Sequence, residues 1–328
     1  MTVAIVGPGY IGAAHAAAWR ATGIEVSHLI SRRADAALAD APNARTVTDL
    51  AVALADPAVD IVTICTPTPT HRGFASAALR AGKHVLLEKP MALSVADAEA
   101  IAREAEASGL VLMVAHVVRF FPAYARVRAE VDGGAVGHPL HVRAERMIAP
   151  PQTPWWYDEN LSGGVVVDVG IHDLDQANLL LGEPVEVRAT APDALGPVET
   201  TVRYADGGLA QVLSHARMPQ SVPFATALQV TGDAGMVATR HIGGERVVNE
   251  FAVRGDGGSA TGARVSDETH GDAEPYALQA AHFLECVASG TPSRVAPAGD
   301  AVLAVRTALA ARDSLRGGGD WVRVVSAG

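Results

Sequence analysis

Short β-branched runs alternate with Ala-rich segments along the first third of the chain, a pattern that predicts repeated βα units around a parallel sheet. Strands are expected at Val3 to Val6, Glu25 to Ile30, Asp60 to Cys65, His84 to Leu87 and Leu110 to Ala115, with a shorter one at Arg45 to Val47. Helices fit Ile11 to Ala21, Ala34 to Asp40, Thr48 to Ala55, His71 to Ala81 and Ser94 to Ser108, where Ser94 is an N-cap with Asp97 three residues later. From about residue 137 the segments lengthen and alternate apolar with polar. Pro139 to Ile148, Val185 to Ala191, Val198 to Tyr204, Leu209 to Arg217, Ala225 to Thr231 and Met236 to Arg240 read as strands. Asp206-Gly207-Gly208 and Gly232-Asp233-Ala234-Gly235 supply hairpin turns. Residues 241 to 274 are Gly-rich and irregular and receive no assignment, and Tyr276 to Ser289 and Gly299 to Arg316 close the chain as helices. The fold class is α/β: a doubly wound Rossmann-type domain over 1–118, then a sheet-rich domain over 119–328. An open sheet of that kind needs its exposed face covered, which predicts a homo-oligomer.

At 328 residues the chain has room for two domains with separate cores. Hydrophobic residues make up 49% of it, yet no apolar run reaches membrane-spanning length. Met1-Thr2-Val3-Ala4-Ile5-Val6 lacks a basic region and runs straight into a glycine motif, so it reads as a first strand rather than a targeting signal. Cys65 and Cys286 are the only cysteines, which points to a reducing, cytoplasmic setting without a disulfide framework. A formal charge of −10 disfavours nucleic acid and anionic membrane as partners, so any site for an anionic ligand must be local. No metal site is expected.

Gly7-Pro8-Gly9-Tyr10-Ile11-Gly12 follows the first strand and opens the first helix, the context in which G-x-G-x-x-G binds a dinucleotide. Gly7 makes the tight turn, Gly9 lets the backbone approach a pyrophosphate, and Gly12 permits close helix packing. At the end of the second strand, NAD specificity would call for a carboxylate on the ribose hydroxyls. The chain reads Ser31-Arg32-Arg33 there, and guanidiniums suit a 2′-phosphate, so NADP is favoured with NAD as the alternative. Arg32 and Arg33 also fit solvated loop charges. Thr66-Pro67-Thr68-Pro69-Thr70-His71, Glu88-Lys89-Pro90 and the stretch from His116 through Arg119 to Pro122 each follow a later strand. They fall at the carboxyl ends of parallel strands, where open α/β sheets bind ligands.

The stretch Gly163 to Asp175 sets polar groups into an apolar run, with Asp168 and His172 four residues apart. On a helix that spacing puts both on one face, and a carboxylate beside an imidazole orients it and raises its pKa for acid/base work. An ordinary surface pair has the same spacing. Upstream, Trp155-Trp156-Tyr157 is an aromatic cluster in a chain only 5% aromatic, able to stack a sugar ring or to serve a core or interface. His116, Arg119 and Tyr276 are further candidates for substrate contact, each with a structural role as the rival.

Gly7 to Gly12, Thr66-Pro67 through His71, Glu88-Lys89-Pro90 and Gly-Gly-x-x-x-Asp-x-x-x-His-Asp-x-Asp over 163 to 175 together resemble the Gfo/Idh/MocA family, named for glucose-fructose oxidoreductase and inositol dehydrogenase. The resemblance implies a nucleotide-binding domain followed by an α+β domain with a large, mostly antiparallel sheet used for dimer or tetramer contacts. It also implies that Lys89, Asp168 and His172 are catalytic and that Thr66, Pro67, His71 and Glu88 line the nicotinamide side. The implied activity is hydride transfer between the nicotinamide and a CH–OH or C=O carbon of a sugar, polyol or related molecule. Two alternatives stand beside it: a nucleotide-sensing regulator of the same fold, and an enzyme that retains its NAD(P) for internal redox shuttling.

Overall fold

The computed structural model describes residues 1–33, 35–243, 246–254, 260–267 and 274–325, with 246–254 and 260–267 described as backbone. Two compact units are present, one of residues 1–120 with 273–302 and one of residues 121–272 with 303–328.

The first unit runs β1 (Thr2–Val6), α1 (Tyr10–Ala21), β2 (Glu25–Ile30), β3 (Arg45–Val47), α2 (Leu50–Leu54), β4 (Val59–Ile64), α3 (His71–Arg80), β5 (His84–Glu88), α4 (Val95–Ser108) and β6 (Leu112–Ala115). Its six strands are parallel in the order β3-β2-β1-β4-β5-β6. That is a doubly wound sheet whose strand order reverses between β1 and β4. Val3 to Val6 are all buried, as a strand covered on both faces requires. The predicted N-cap forms, with Ser94 Oγ accepting from the Asp97 N–H at 3.1 Å.

The helix expected from Ala34 to Asp40 is absent over its described residues, and Ala34 lies outside them. The Ala36 carbonyl instead accepts from Thr46 Oγ1 at 2.6 Å, which ties the segment to β3 as turns.

In the second unit, α5 (Pro122–Asp132) precedes β7 (Pro139–Met147), α6 (Glu159–Ser162), α7 (Ile171–Leu181), β8 (Pro184–Thr190), β9 (Val198–Tyr204), β10 (Leu209–His215), β11 (Ala225–Gly232), β12 (Gly235–Ile242), β13 (Arg246–Arg254) and β14 (Ala260–Asp267). The chain ends with α8 (Pro275–Ser289), α9 (Ala298–Arg316) and β15 (Val322–Arg323). Nine strands form one sheet in the order β14-β13-β12-β11-β7-β10-β9-β8-β15, antiparallel at its described pairings except between β7 and β10. Strands β13 and β14 fall within 241–274, for which the sequence pattern predicts no element. Helix α7 packs on β7 and β10, and beneath it Tyr204 Oη donates to Asn178 Oδ1 at 3.0 Å while Asn178 Nδ2 donates to Thr307 Oγ1 at 3.1 Å.

The first unit is not continuous in sequence, since residues 273–302 return to it. Helix α8 belongs with the first unit, because its Ala280, Phe283 and Cys286 share a core with Ile5, Trp19, Leu29 and Met113. Trp19 and Phe283 meet edge to face at 6.1 Å, and Trp19 Nε1 donates to Thr63 Oγ1. Without α8 this core would lie open on that side.

Candidate functional site

In the first unit the predicted residues gather at the carboxyl edge of the parallel sheet. Gly7 adopts φ +88°, and a Cβ there would meet the Cys65 carbonyl oxygen at 2.8 Å. A Cβ on Gly12 would collide with the Gly7 carbonyl oxygen, so the turn and the helix close only with glycine at both positions. Gly9 differs: nothing lies within 4 Å of its Cβ position, which leaves open space above the turn. Helix α1 starts there with no side-chain cap, and Tyr10, beside Ile11 in its first turn, is 89% exposed. Orphan N–H groups at an uncapped helix start attract an anion.

At the end of β2, Ser31 Oγ accepts from the Arg33 N–H at 3.1 Å and shapes the turn. Arg32 is exposed, and Arg33 pairs with Asp35 at 3.3 Å, both more than three-quarters exposed. Asp35 holds the Arg33 pKa above its ordinary value, but an exposed pair of this kind contributes little to stability.

His71 joins two strand ends. Its Nε2 lies 2.8 Å from the Thr66 carbonyl oxygen and its Nδ1 2.9 Å from that of Pro90, so it ties the Thr66-Pro67 turn to the Lys89-Pro90 cis peptide. Burial keeps its pKa below the ordinary imidazole value, against both carbonyls and the Glu88 charge. Thr66 and Thr70 share a hydroxyl contact of 2.6 Å, and Thr70 Oγ1 donates to the Pro67 carbonyl. Glu88 is buried; one oxygen accepts from the Lys89 N–H at 3.0 Å and the other lies 2.7 Å from His15 Nε2. Sequence reading misses His15, since nothing local marks its partner 73 residues away.

Tyr276 packs its ring edge-on against His15 with centroids 5.2 Å apart, and burial beside Glu88 pushes its phenol pKa up. His116 is buried at the end of β6. Arg119, a candidate for substrate contact with a structural role as the rival, is buried, and its Nη1 donates to the Val295 carbonyl at 2.8 Å and to Asp300 Oδ2 at 2.7 Å.

In the second unit, a π-helical turn over Val166–Gly170 leads into α7. Turns of this kind are frequent at functional sites. Between Val165 and Asn178, Asp168 and His172 are the two residues that are not buried. Trp156 Nε1 donates to Asp168 Oδ2 at 2.7 Å, so the aromatic cluster supplies a holder for that carboxylate. Trp155 is half-buried and Tyr157 exposed. His172 buries Nδ1. The neighbouring acid serves the fold instead, since Asp173 takes a bidentate pair from buried Arg146, at 2.7 and 2.9 Å. Arg146 has a signal in the sequence, because Val142, Ala144 and Arg146 share the buried phase of β7. Among the described residues no group of three or more His, Cys, Asp or Glu side chains could hold a metal ion, and no helix is long and apolar enough to cross a membrane.

A family model described as "Oxidoreductase family, NAD-binding Rossmann fold" matches residues 1–116, and one described as "GFO/IDH/MocA C-terminal domain" matches residues 124–238. The chain is also 32% identical over 250 residues to 1,5-anhydro-D-fructose reductase of Ensifer adhaerens, covering 72% of this chain and 74% of that one. It belongs to the Gfo/Idh/MocA oxidoreductase family. A second relative, scyllo-inositol 2-dehydrogenase (NAD(+)) of Bacillus subtilis strain 168, is 29% identical over 81% of this chain and 78% of its own. Levoglucosan dehydrogenase in complex with NADH and L-sorbose has the same fold, with a TM-score of 0.88 at 21% identity over 100% of this chain and 99% of that one. The family's nicotinamide dinucleotide fits the residues present, since Gly9 lies under open space and the start of α1 has no side-chain cap.

Proposed function

We propose that this oxidoreductase interconverts a CH–OH group and a carbonyl in a sugar, polyol or related small molecule. When bound, the nicotinamide supplies the hydride acceptor or donor. His172 takes the substrate hydroxyl proton on Nε2 during oxidation and returns it during reduction, while Asp168 orients the ring and stabilises its charged form. Lys89 holds the substrate oxygen and stabilises negative charge developing there. One observation carries the reading: along a buried helical run, Asp168 and His172 alone are not buried, and Asp168 is held by a Trp156 N–H. The names of the relatives support the substrate class.

The preferred cofactor in this reading is NADP, with NAD as the alternative. Ser31, Arg32 and Arg33 follow β2 without a carboxylate on the strand end. Asp35 engages Arg33 only in an exposed pair that a 2′-phosphate displaces at little cost. The protein works as a homodimer or homotetramer through the nine-stranded sheet, whose outward positions include exposed Arg143, Gln211 and Arg240.

The test is steady-state kinetics of His172→Ala. Its kcat falls by about 10² to 10⁴, the usual worth of a general base, while nucleotide affinity stays unchanged. Near-normal turnover removes His172 from the role.

A further inference from the structure

Glu88 ends β5 as a buried acid with both oxygens engaged, one by the Lys89 N–H at 3.0 Å and one by His15 Nε2 at 2.7 Å. His15 is itself buried, and its Nδ1 meets no hydrogen-bond partner among the described residues. Those facts favour one placement of the proton. If Glu88 were protonated and donated to Nε2, the ring would carry its own proton on Nδ1, and a buried N–H would go unmet. An imidazolium would leave the same N–H unmet. Orphaned buried donors are rare, whereas a lone pair without a donor is better tolerated. The arrangement that avoids the orphan is a neutral ring donating through Nε2 to an ionised Glu88. The couple therefore carries one negative charge.

That charge lies in a defined part of the sheet. In the order β3-β2-β1-β4-β5-β6 a dinucleotide crosses at the switch between β1 and β4. Its adenosine end lies toward β2, where Ser31 to Arg33 stand, which puts the nicotinamide over the β4–β6 half. The oxidised nicotinamide carries a positive charge that the reduced ring lacks. A fixed carboxylate in that half stabilises the two redox forms unequally.

We propose that the His15–Glu88 couple biases cofactor binding toward the oxidised nucleotide, with His15 as a positioning residue and Tyr276 as the cover that keeps water from it. The inference rests on the reading that the nicotinamide lies over the ends of β4 to β6. Lys89 adds its charge to wild type and variants alike, so changing Glu88 isolates the couple. The Tyr276 ring sits edge-on to His15 at 5.2 Å, and removing water there strengthens a charge at that site.

Calorimetric titration without substrate, using NADP+ and NADPH and then NAD+ and NADH, gives the ratio of reduced to oxidised Kd for each pair. In Glu88→Gln this ratio falls by about tenfold, the scale of unit charges roughly 10 Å apart at an effective dielectric near 20. His15→Leu removes the donor and lowers the ratio in the same sense. His15→Gln restores an N–H donor and returns it toward wild type. An unchanged ratio in Glu88→Gln and His15→Leu overturns the inference while leaving the cofactor reading intact. Failure of the wild-type protein to bind any of the four nucleotides removes the cofactor reading and the inference with it. If Glu88→Gln does not fold, the His15→Leu ratio decides alone.

Discussion

Trp156 donates its indole N–H to Asp168 at 2.7 Å, joining the aromatic segment to the carboxylate that stands one turn before His172. The contact makes Trp156 a holder of the site, a role that sugar stacking alone would not give it. Trp156→Phe keeps most of the ring and removes the donor. A hydrogen bond to a charged group is worth about 1.5 to 3 kcal/mol, so kcat is expected to fall by roughly tenfold or more with little change in nucleotide Kd. Steady-state kinetics beside a nucleotide titration checks both numbers.

Arg146 and Asp173 form a buried bidentate pair between β7 and α7. Breaking such a pair from one side leaves a bare buried charge. Arg146→Met is expected to destabilise the protein by about 3 to 5 kcal/mol, measured by chemical denaturation. The double variant with Asp173→Leu recovers much of that loss, because both charges are then gone.

Gly9→Ala and Gly12→Ala separate binding from folding. A Cβ on Gly9 meets nothing within 4 Å, so that variant keeps its stability within about 0.5 kcal/mol and loses nucleotide affinity through the approach of the pyrophosphate alone. A Cβ on Gly12 strikes the Gly7 carbonyl, so that variant loses both. Thermal melts paired with nucleotide titrations distinguish them.

Replacing Arg32 and Arg33 together with Ala removes the cations at the end of β2. If they read a 2′-phosphate, KM for NADP rises by about tenfold or more while KM for NAD is nearly unchanged, consistent with loss of charge-assisted hydrogen bonds. Equal effects on both cofactors assign the two arginines to the solvated surface.

What the sequence makes legible is what its local order dictates. Gly7, Gly9 and Gly12 can be read because a strand precedes them and a helix follows, and the spacing of Asp168 and His172 survives into a π-helical turn. Long-range returns leave no local mark. Helix α8 rejoins the first unit's core through Phe283, and His15 meets Glu88 across 73 residues. Arg146 stands on the buried phase of its strand, a readable sign of a buried charge, but its partner Asp173 reads locally as one more acid of the 163–175 stretch. The 35–40 segment shows the converse, where helix propensity loses to a tie with Thr46.

The central claim is hydride transfer to or from a sugar or polyol carbon with Lys89 holding the oxygen. It is tested most directly by following the absorbance of reduced nicotinamide with NADP(H) and NAD(H) across a panel of polyols, aldoses and keto-sugars, using Lys89→Met as the blank. Turnover by the wild-type protein that vanishes in Lys89→Met is the predicted result. Turnover that persists in Lys89→Met, or none on the panel despite tight nucleotide binding, contradicts it.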